Sequence, residues 1–391
     1  MSNAIMPTYF SQLPIAFERG KGAWLYDTAG KEYLDGLCGV AVTSLGHAHP
    51  AVTAAICEQA AKELHTSNNF QIPLQQQLAQ ELVRLSGLEQ AFFCNCGAEA
   101  NETAIKISRM FARKKNINNP AIVVMENGFH GRTMGTLGAS HKRIRTGFEP
   151  FLPEFVRVPF DNLPALKEAA QQYENIVAVL VEPIQGEGGI YIPHANYLAS
   201  IRQICDQNDW LMIVDEIQTG IGRTGRWFAY QHDNILPDVI TIAKALGNGV
   251  PIAACLARGK ATNLFSPGKH GSTFGGNPLV CSAALAVLRT IEQEKLVENA
   301  ARMGDYLVRN LKETLHSKKA VVDVRGRGLM IGIELDRPSR DLMPLSLKHG
   351  VLFIITADKV IRVLPPLIIN QTEADQLITR INAAITEFLN S

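Results

Sequence analysis

Apolar residues in the middle of the chain fall into short runs, separated by stretches with helical periodicity. Leu211-Met212-Ile213-Val214 and Val239-Ile240-Thr241-Ile242-Ala243 are the clearest runs. Both are short and rich in β-branched side chains, the pattern of strands buried on both faces of a parallel sheet. The same pattern predicts strands over Ala91–Cys94, Ala121–Met125, Ile176–Glu182 and Ile252–Leu256. Between them, apolar positions recur at the helical period over Gln75–Leu85, Ala98–Ala112, Leu163–Tyr173 and Asn196–Gln207. Strand alternating with helix implies parallel pairing and right-handed crossovers.

The two ends read differently. Trp24–Asp27 and the segment up to Asp35 predict a β-hairpin turning at Ala29-Gly30, and the rest of residues 1–50 looks irregular. A helix is expected from Pro50 past Ala61. Another starts after Asn277-Pro278 and continues as one long helix beyond Leu307. Residues 320–391 predict strands over Val321–Val324, Met330–Leu335 and Val360–Leu364, with helices near 341–349 and 372–389. The expected organisation is an N-terminal segment (1–60) joining a small α+β domain (281–391), around a large α/β domain (61–280).

Composition narrows the class. With 391 residues, 46% hydrophobic and 19% charged, the chain is globular and long enough for a substantial core. Its 38 basic and 37 acidic residues nearly cancel, so there is no electrostatic footprint for nucleic acid or an anionic membrane. No apolar run approaches the roughly 18 residues of a membrane helix, and no signal-peptide pattern is evident. Seven cysteines without metal-ligand spacing fit reduced thiols in a cytoplasmic enzyme. His47 and His49 lack a third ligand nearby, so no metal is expected.

The chemistry begins at the strand ends. Asp215 closes one buried run and Lys244 follows the other, and ligands of open α/β sheets bind outside the carboxyl edge. A lysine and an acid offered to one pocket suit pyridoxal 5′-phosphate (PLP), which needs a Schiff-base lysine and an acid on its pyridine nitrogen. Desolvation would lower the lysine pKa and make it nucleophilic. The two runs alone also fit a lysine snorkelling at a sheet edge and an aspartate capping a helix.

Further stretches point to the same edge. Gly97 and Ala98 open a helix whose free N–H groups suit a phosphate, provided Glu99 and Glu102 turn away. In Asn127–Thr133, Phe129 offers a face for a flat ring and Arg132 a two-pronged carboxylate contact. Glu187, in the glycine-rich loop after Val181, can neutralise an arginine. Gln218 can reach a ring hydroxyl, Ser272 and Thr273 place hydroxyls among glycines, and Arg362 ends a late strand as a second carboxylate anchor. Gly220–Gly225 spells a dinucleotide fingerprint. The following residues, Arg226 to His232 and then Leu236-Pro237, do not read as the crossover helix it requires, so no nicotinamide site is expected.

Taken together, Asn127–Thr133, Glu182–Gly189, Asp215–Gly225, Ala243–Gly249 and Gly271–Pro278 resemble class III PLP-dependent aminotransferases, in order and over almost the whole chain. Within the class, the resemblance is to its acetylornithine-using members. It implies a type I PLP-dependent transferase fold, with a large mostly parallel sheet domain and a smaller α+β domain. It also implies a homodimer sharing its active sites. The implied reaction moves an amino group between N2-acetyl-L-ornithine and 2-oxoglutarate, in arginine biosynthesis.

By family role, Lys244 bonds the cofactor and shuttles the proton, while Asp215 pairs with the ring nitrogen and Gln218 with the ring hydroxyl. Phe129 covers the ring. Gly97 and Ala98 hold the phosphate, joined by Thr273 from the other subunit. Arg132 holds the acetylornithine carboxylate with Ser272 from the other subunit nearby. Arg362 holds the glutamate carboxylate, and Glu187 masks it in the other half-reaction. The tyrosines of ornithine aminotransferases correspond to Trp24 and Val40, whose lack of hydroxyls disfavours free ornithine. Other readings are succinyl-diaminopimelate, succinylornithine, ornithine or 4-aminobutyrate as substrate, a non-catalytic PLP-binding regulator, and a nicotinamide-dependent oxidoreductase.

Overall fold

The computed structural model describes residues 12–152 and 155–391. Residues 1–11 of the expected N-terminal segment lie outside the described residues. Three strands open the chain: β1 (Phe17–Lys21), β2 (Trp24–Asp27) and β3 (Glu32–Asp35). The β2–β3 hairpin is the expected one. Strand β1 was not expected, because its residues are mostly polar and exposed and carry no alternation.

The central sheet uses β4 (Gln90–Cys94), β5 (Ala121–Met125), β6 (Phe155–Val158), β7 (Ile176–Val181), β8 (Leu211–Asp215), β9 (Val239–Ile242) and β10 (Ala253–Ala257). Their order is β4-β10-β9-β8-β7-β5-β6. Every residue of β7, β8 and β9 is buried, in keeping with sequences that are apolar except for Thr241 within β9 and Asp215 at the end of β8. Strands β5 to β9 pair in parallel, whereas β10 runs antiparallel to both β9 and β4. The sheet is thus mostly parallel, as expected, with β10 the strand that reverses. Because β10 reverses between them, β4 points the same way as β9, and both deliver their carboxyl ends to one edge.

A third group, β11 (Val321–Arg327), β12 (Met330–Leu335), β14 (Ile354–Thr356) and β15 (Val360–Val363), forms an antiparallel sheet in the order β11-β12-β15-β14. The short β13 (Val351–Leu352) leaves that region and pairs in parallel with β3. The chain's two ends thus share a sheet.

The single long helix expected after Asn277 is two. Pro278–Gln293 starts where the Asn277 side chain accepts from Val280 N. It stops before Lys295, whose φ of 52° is left-handed and ends the first helix before Leu296–Leu315 begins. No described helix is long and apolar enough to cross a membrane.

Candidate active site

A cavity of about 420 Å³ lies at the carboxyl edge of the central sheet. Gly97, Ala98, Phe129, Arg132, Asp215, Gln218 and Lys244 all stand on its wall. Parallel packing of β8 and β9 explains the convergence of the acid and the amine. Neighbouring strands lie about 4.8 Å apart, so residues at their ends open onto the same space.

Asp215 is 3% exposed. Its Oδ2 accepts from Asn101 Nδ2 and bonds His130 Nδ1, both at 2.8 Å, and its Oδ1 accepts from Ile217 N at 3.1 Å. Lys244 opens a 3₁₀ turn (Lys244–Leu246) with a left-handed φ of 46°. An L side chain seldom holds that backbone, and strain of this kind clusters at functional sites. Burial and the nearby Arg362 charge bring its amine down to about 8, against the opposing pull of Glu187, Asp215 and Glu182.

Helix Gly97–Lys114 begins with no side-chain cap, so its first N–H groups remain open beside the cavity. Glu99 is turned back, accepting from Asn95 N and Nδ2 at 2.8 Å. Glu102 accepts from Thr133 Oγ1. Neither acid belongs to the cavity wall, as an anion site demands. A Cβ on Gly97 would lie 2.8 Å from Ile217 Cδ1, and one on Gly131 2.8 Å from Ala98 Cβ. The cradle is therefore as close-packed as its glycines allow.

Phe129 N donates to Glu182 Oε2 at 3.0 Å, and Glu182 Oε1 accepts from Gly186 N at 3.3 Å. Glu182 thereby ties the Phe129 loop to the Glu187 loop. Burial pushes its carboxyl up to about 7 against the pull of His130. The Arg132 guanidinium lies 5.9 Å from the Phe129 ring centroid.

Arg362 and Glu187 meet just behind the wall. Arg362 Nη1 donates to Glu187 Oε1 at 2.7 Å and to Gln218 Oε1 at 3.4 Å. Burial alone would raise the Glu187 carboxyl, but the Arg362 charge and hydrogen bond outweigh it and hold the group below its ordinary range. Thr356 Oγ1 donates to Glu187 O at 2.6 Å, fixing the backbone beneath that side chain.

Ser272 and Thr273 are not on this chain's cavity wall. Ser272 Oγ accepts from Gly275 N and from Asn95 Nδ2, at 3.1 and 3.3 Å.

Trp24 and Val40 do not line this cavity. Trp24 turns to the carboxyl-terminal helix, where its Nε1 donates to Glu373 Oε1 at 3.2 Å. Val40 packs on an apolar cluster with Ile184 and Leu364, and Val42 takes the place on the wall. His47 bonds Asp35 Oδ2 at 2.7 Å. The Gly220–Gly225 loop opens no helix. Its Arg223 is 1% exposed and donates to Ser44 Oγ and to the carbonyls of Leu329 and Pro365.

Sequence reasoning passed over Glu182, His130, Asn101 and Thr241. Glu182 carried the same signal as Asp215, an acid directly after an apolar run. Asn101 sits among buried Ala100, Ala104 and Ile105, and a polar residue on an apolar helix face is a signal of its own.

These residues fit PLP. The uncapped helix start suits its phosphate, the amine held near 8 suits its aldehyde, the three-donor carboxylate suits its ring nitrogen, and Phe129 offers a flat face. Residues 5–385 match the family model described as Aminotransferase class-III, and the chain belongs to that family of PLP-dependent aminotransferases.

Among curated proteins, the acetylornithine aminotransferase of Nitrosomonas europaea is 52% identical, covering 99% of this chain and 98% of that one. The acetylornithine aminotransferase of Methanocaldococcus jannaschii is 44% identical over 97% of this chain and 95% of its own. Among solved structures, ornithine aminotransferase from Toxoplasma gondii superposes with a TM-score of 0.95 at 36% identity, covering 99% and 93% of the two chains. N-acetylornithine aminotransferase from Stenotrophomonas maltophilia gives 0.85 at 34% identity, covering 97% and 98%.

Proposed function

We propose that the enzyme moves an amino group between N2-acetyl-L-ornithine and 2-oxoglutarate, giving N-acetyl-L-glutamate 5-semialdehyde and L-glutamate. The observation that carries this reading is the Glu187–Arg362 ion pair behind a cavity that already has Arg132 on its wall. A two-stage exchange must accept two different substrates in one place. Arg362, once released by Glu187, anchors the α-carboxylate of glutamate or 2-oxoglutarate. Arg132 anchors the carboxylate of acetylornithine, whose reacting amine is at the far end of the side chain.

PLP, when bound, supplies an electron-accepting ring that stabilises negative charge at the substrate carbon. The chain does the rest. Gly97 and Ala98 hold the phosphate, Gln218 the ring hydroxyl, and Phe129 covers one ring face. Asp215 keeps the proton on the ring nitrogen. With the cofactor in place, Lys244 Nζ would take and return the proton of the carbon bearing the reacting amine, Cα in glutamate and the terminal side-chain carbon in acetylornithine, and its low pKa suits that role near neutral pH.

We also read the protein as a cytoplasmic homodimer. Phe274, 62% exposed, adjoins Ser272 and Thr273 in sequence, and Asn68, two residues before the 70% exposed Phe70, donates to Ser272 O and Gly275 O, so exposed aromatic side chains flank this segment. Pairing through that segment would carry Thr273 to the partner's phosphate and Ser272 to the neighbourhood of its Arg132. The small domain is built from residues 1–60 and 281–391 around the large domain 61–280, a division that the shared β3–β13 pairing supports.

Free ornithine is the second reading, favoured by the Toxoplasma superposition. A donor panel of acetylornithine, succinylornithine, ornithine, succinyl-diaminopimelate and 4-aminobutyrate, each with 2-oxoglutarate, tests both. Acetylornithine is expected to give the highest kcat/KM. A higher value for ornithine would refute the acyl preference.

A further inference from the structure

Asn101 is wholly buried one turn into the helix whose start forms the phosphate cradle. Its amide makes three bonds to three other elements. Nδ2 donates to Asp215 Oδ2 and to His130 O, both at 2.8 Å. Its Oδ1 accepts from Thr241 Oγ1 at 2.8 Å. Thr241 is wholly buried on β9, three positions before Lys244, and stands in register with Asp215 on β8. One side chain thus links the phosphate cradle, the ring-nitrogen acid, the lysine strand and the loop carrying Phe129.

The chemistry fixes the amide in one orientation. Both N–H bonds meet acceptors that have no proton to give, a carbonyl and a carboxylate. Turned by 180°, the amide oxygen would face those two oxygens in a buried site, and each would lose the donor that Asn101 supplies, leaving Asp215 Oδ2 with His130 Nδ1 alone. The Thr241 hydroxyl reinforces the choice by donating to the amide oxygen. A buried acceptor left without a donor is costly. Helices do not favour asparagine in their interior, and a wholly buried one among alanines and an isoleucine is unexplained by packing alone.

We propose that Asn101, oriented by Thr241, is the positioning residue that locks the Asp215 carboxylate in register with Lys244. This rests on the reading of Asp215 as the partner of the ring nitrogen. Three donors, from Asn101, His130 and Ile217, fix the rotation of that carboxylate before the cofactor arrives. Asn101 supplies the one that also reports the position of the lysine strand. Neither Asn101 nor Thr241 belongs to the cavity wall, so both act through Asp215.

The test uses full-length protein and two readouts besides turnover: the affinity of apoenzyme for PLP, from fluorescence titration, and the visible absorbance band of the loaded enzyme. Asn101→Leu keeps the volume and removes all three bonds. It is expected to weaken PLP binding by about tenfold or more and to move the visible band in the direction given by Asp215→Asn. Thr241→Val is expected to produce a smaller change of the same kind, about fivefold, and Thr241→Ser to restore both readouts. Thermal melting of each apoenzyme monitors the fold.

If Asn101→Leu does not fold, the Thr241 pair still decides. Wild-type affinity and absorbance in Thr241→Val would overturn the proposal, as would a failure of Thr241→Ser to restore them. If Asp215→Asn itself changes neither readout, the role of Asp215 falls and the relay falls with it. That outcome is distinguishable, because the relay alone fails when Asp215→Asn has its effect and the Thr241 variants have none.

Discussion

Removing the charge of Glu187 should tilt the balance between the two half-reactions. Glu187→Gln keeps the side-chain shape and the Thr356 bond to the backbone carbonyl. It takes away the negative partner of a guanidinium that is 1% exposed. A hydrogen bond to a charged group contributes about 1.5–3 kcal/mol. The Glu187 side chain is 28% exposed, so solvent screening places this pair at the low end. About 1.4 kcal/mol corresponds to tenfold.

Glutamate must displace Glu187 to reach Arg362, and in the variant that competition is gone. Acetylornithine instead lays its methylene chain against a guanidinium no longer masked. The ratio of kcat/KM for glutamate over acetylornithine should therefore rise by about tenfold. Single-turnover absorbance measurements on each half-reaction would show it. Equal changes in both would refute the masking role. The pH dependence has a definite sign: a carboxyl depressed in the folded state stabilises above its unfolded pKa and loses that contribution as pH falls through the folded value. The mask should thus hold through neutral pH and fail only on acidification below the usual carboxylate range.

Lys244→Ala should bind PLP more weakly and lose turnover, while the wild-type amine, held at about 8, should react increasingly with aldehydes as pH rises through that value. Turnover at the wild-type rate in the variant would remove Lys244 from the mechanism. Arg362→Ala should damage the glutamate half-reaction more than the acetylornithine half, and equal damage would contradict the division between two arginines. Glu216 is 1% exposed and pushed up to about 7 by burial. Its folded form binds more protons than the unfolded chain between pH 4.5 and about 7, so stability falls as pH rises through that window. Glu216→Gln can keep its oxygen as the acceptor for Tyr230 N and turn its Nε2 to donate to the Thr219 hydroxyl, all without the charge, and should raise stability at pH 8 by up to about 3 kcal/mol, read by denaturant unfolding.

Much of this was legible because the central strands are buried on both faces. Leu211–Val214 had to be apolar throughout and Val239–Ile242 apolar but for Thr241, and such runs end abruptly where the pocket begins. Edge elements were harder. Strand β6 carries Arg157 in its middle, and β1 is mostly polar and exposed. The reversal of β10 leaves no mark in its own composition, since a buried strand reads alike in either direction. The break at Lys295 is invisible because neither glycine nor proline marks it.

Site residues separated in the same way. Asp215, Lys244 and Glu187 announced themselves as charges after apolar runs or among glycines. Asn101 and Thr241 meet across 140 positions, and Asn101 meets Asp215 across 114, and no local pattern records such pairings.

Arg223 has a consequence for how the enzyme is made. Its acceptors come from Ser44, Leu329 and Pro365, so a ribosome must finish nearly the whole chain before the last of them exists. Contacts so far apart in sequence close late. Until they do, the loop that follows Gln218 holds a cation with nowhere dry to go. A nascent chain can therefore assemble its central sheet early, but the enzyme's wall receives its final brace only as synthesis ends, and a product truncated before Pro365 would carry every central strand and still lack a settled active site.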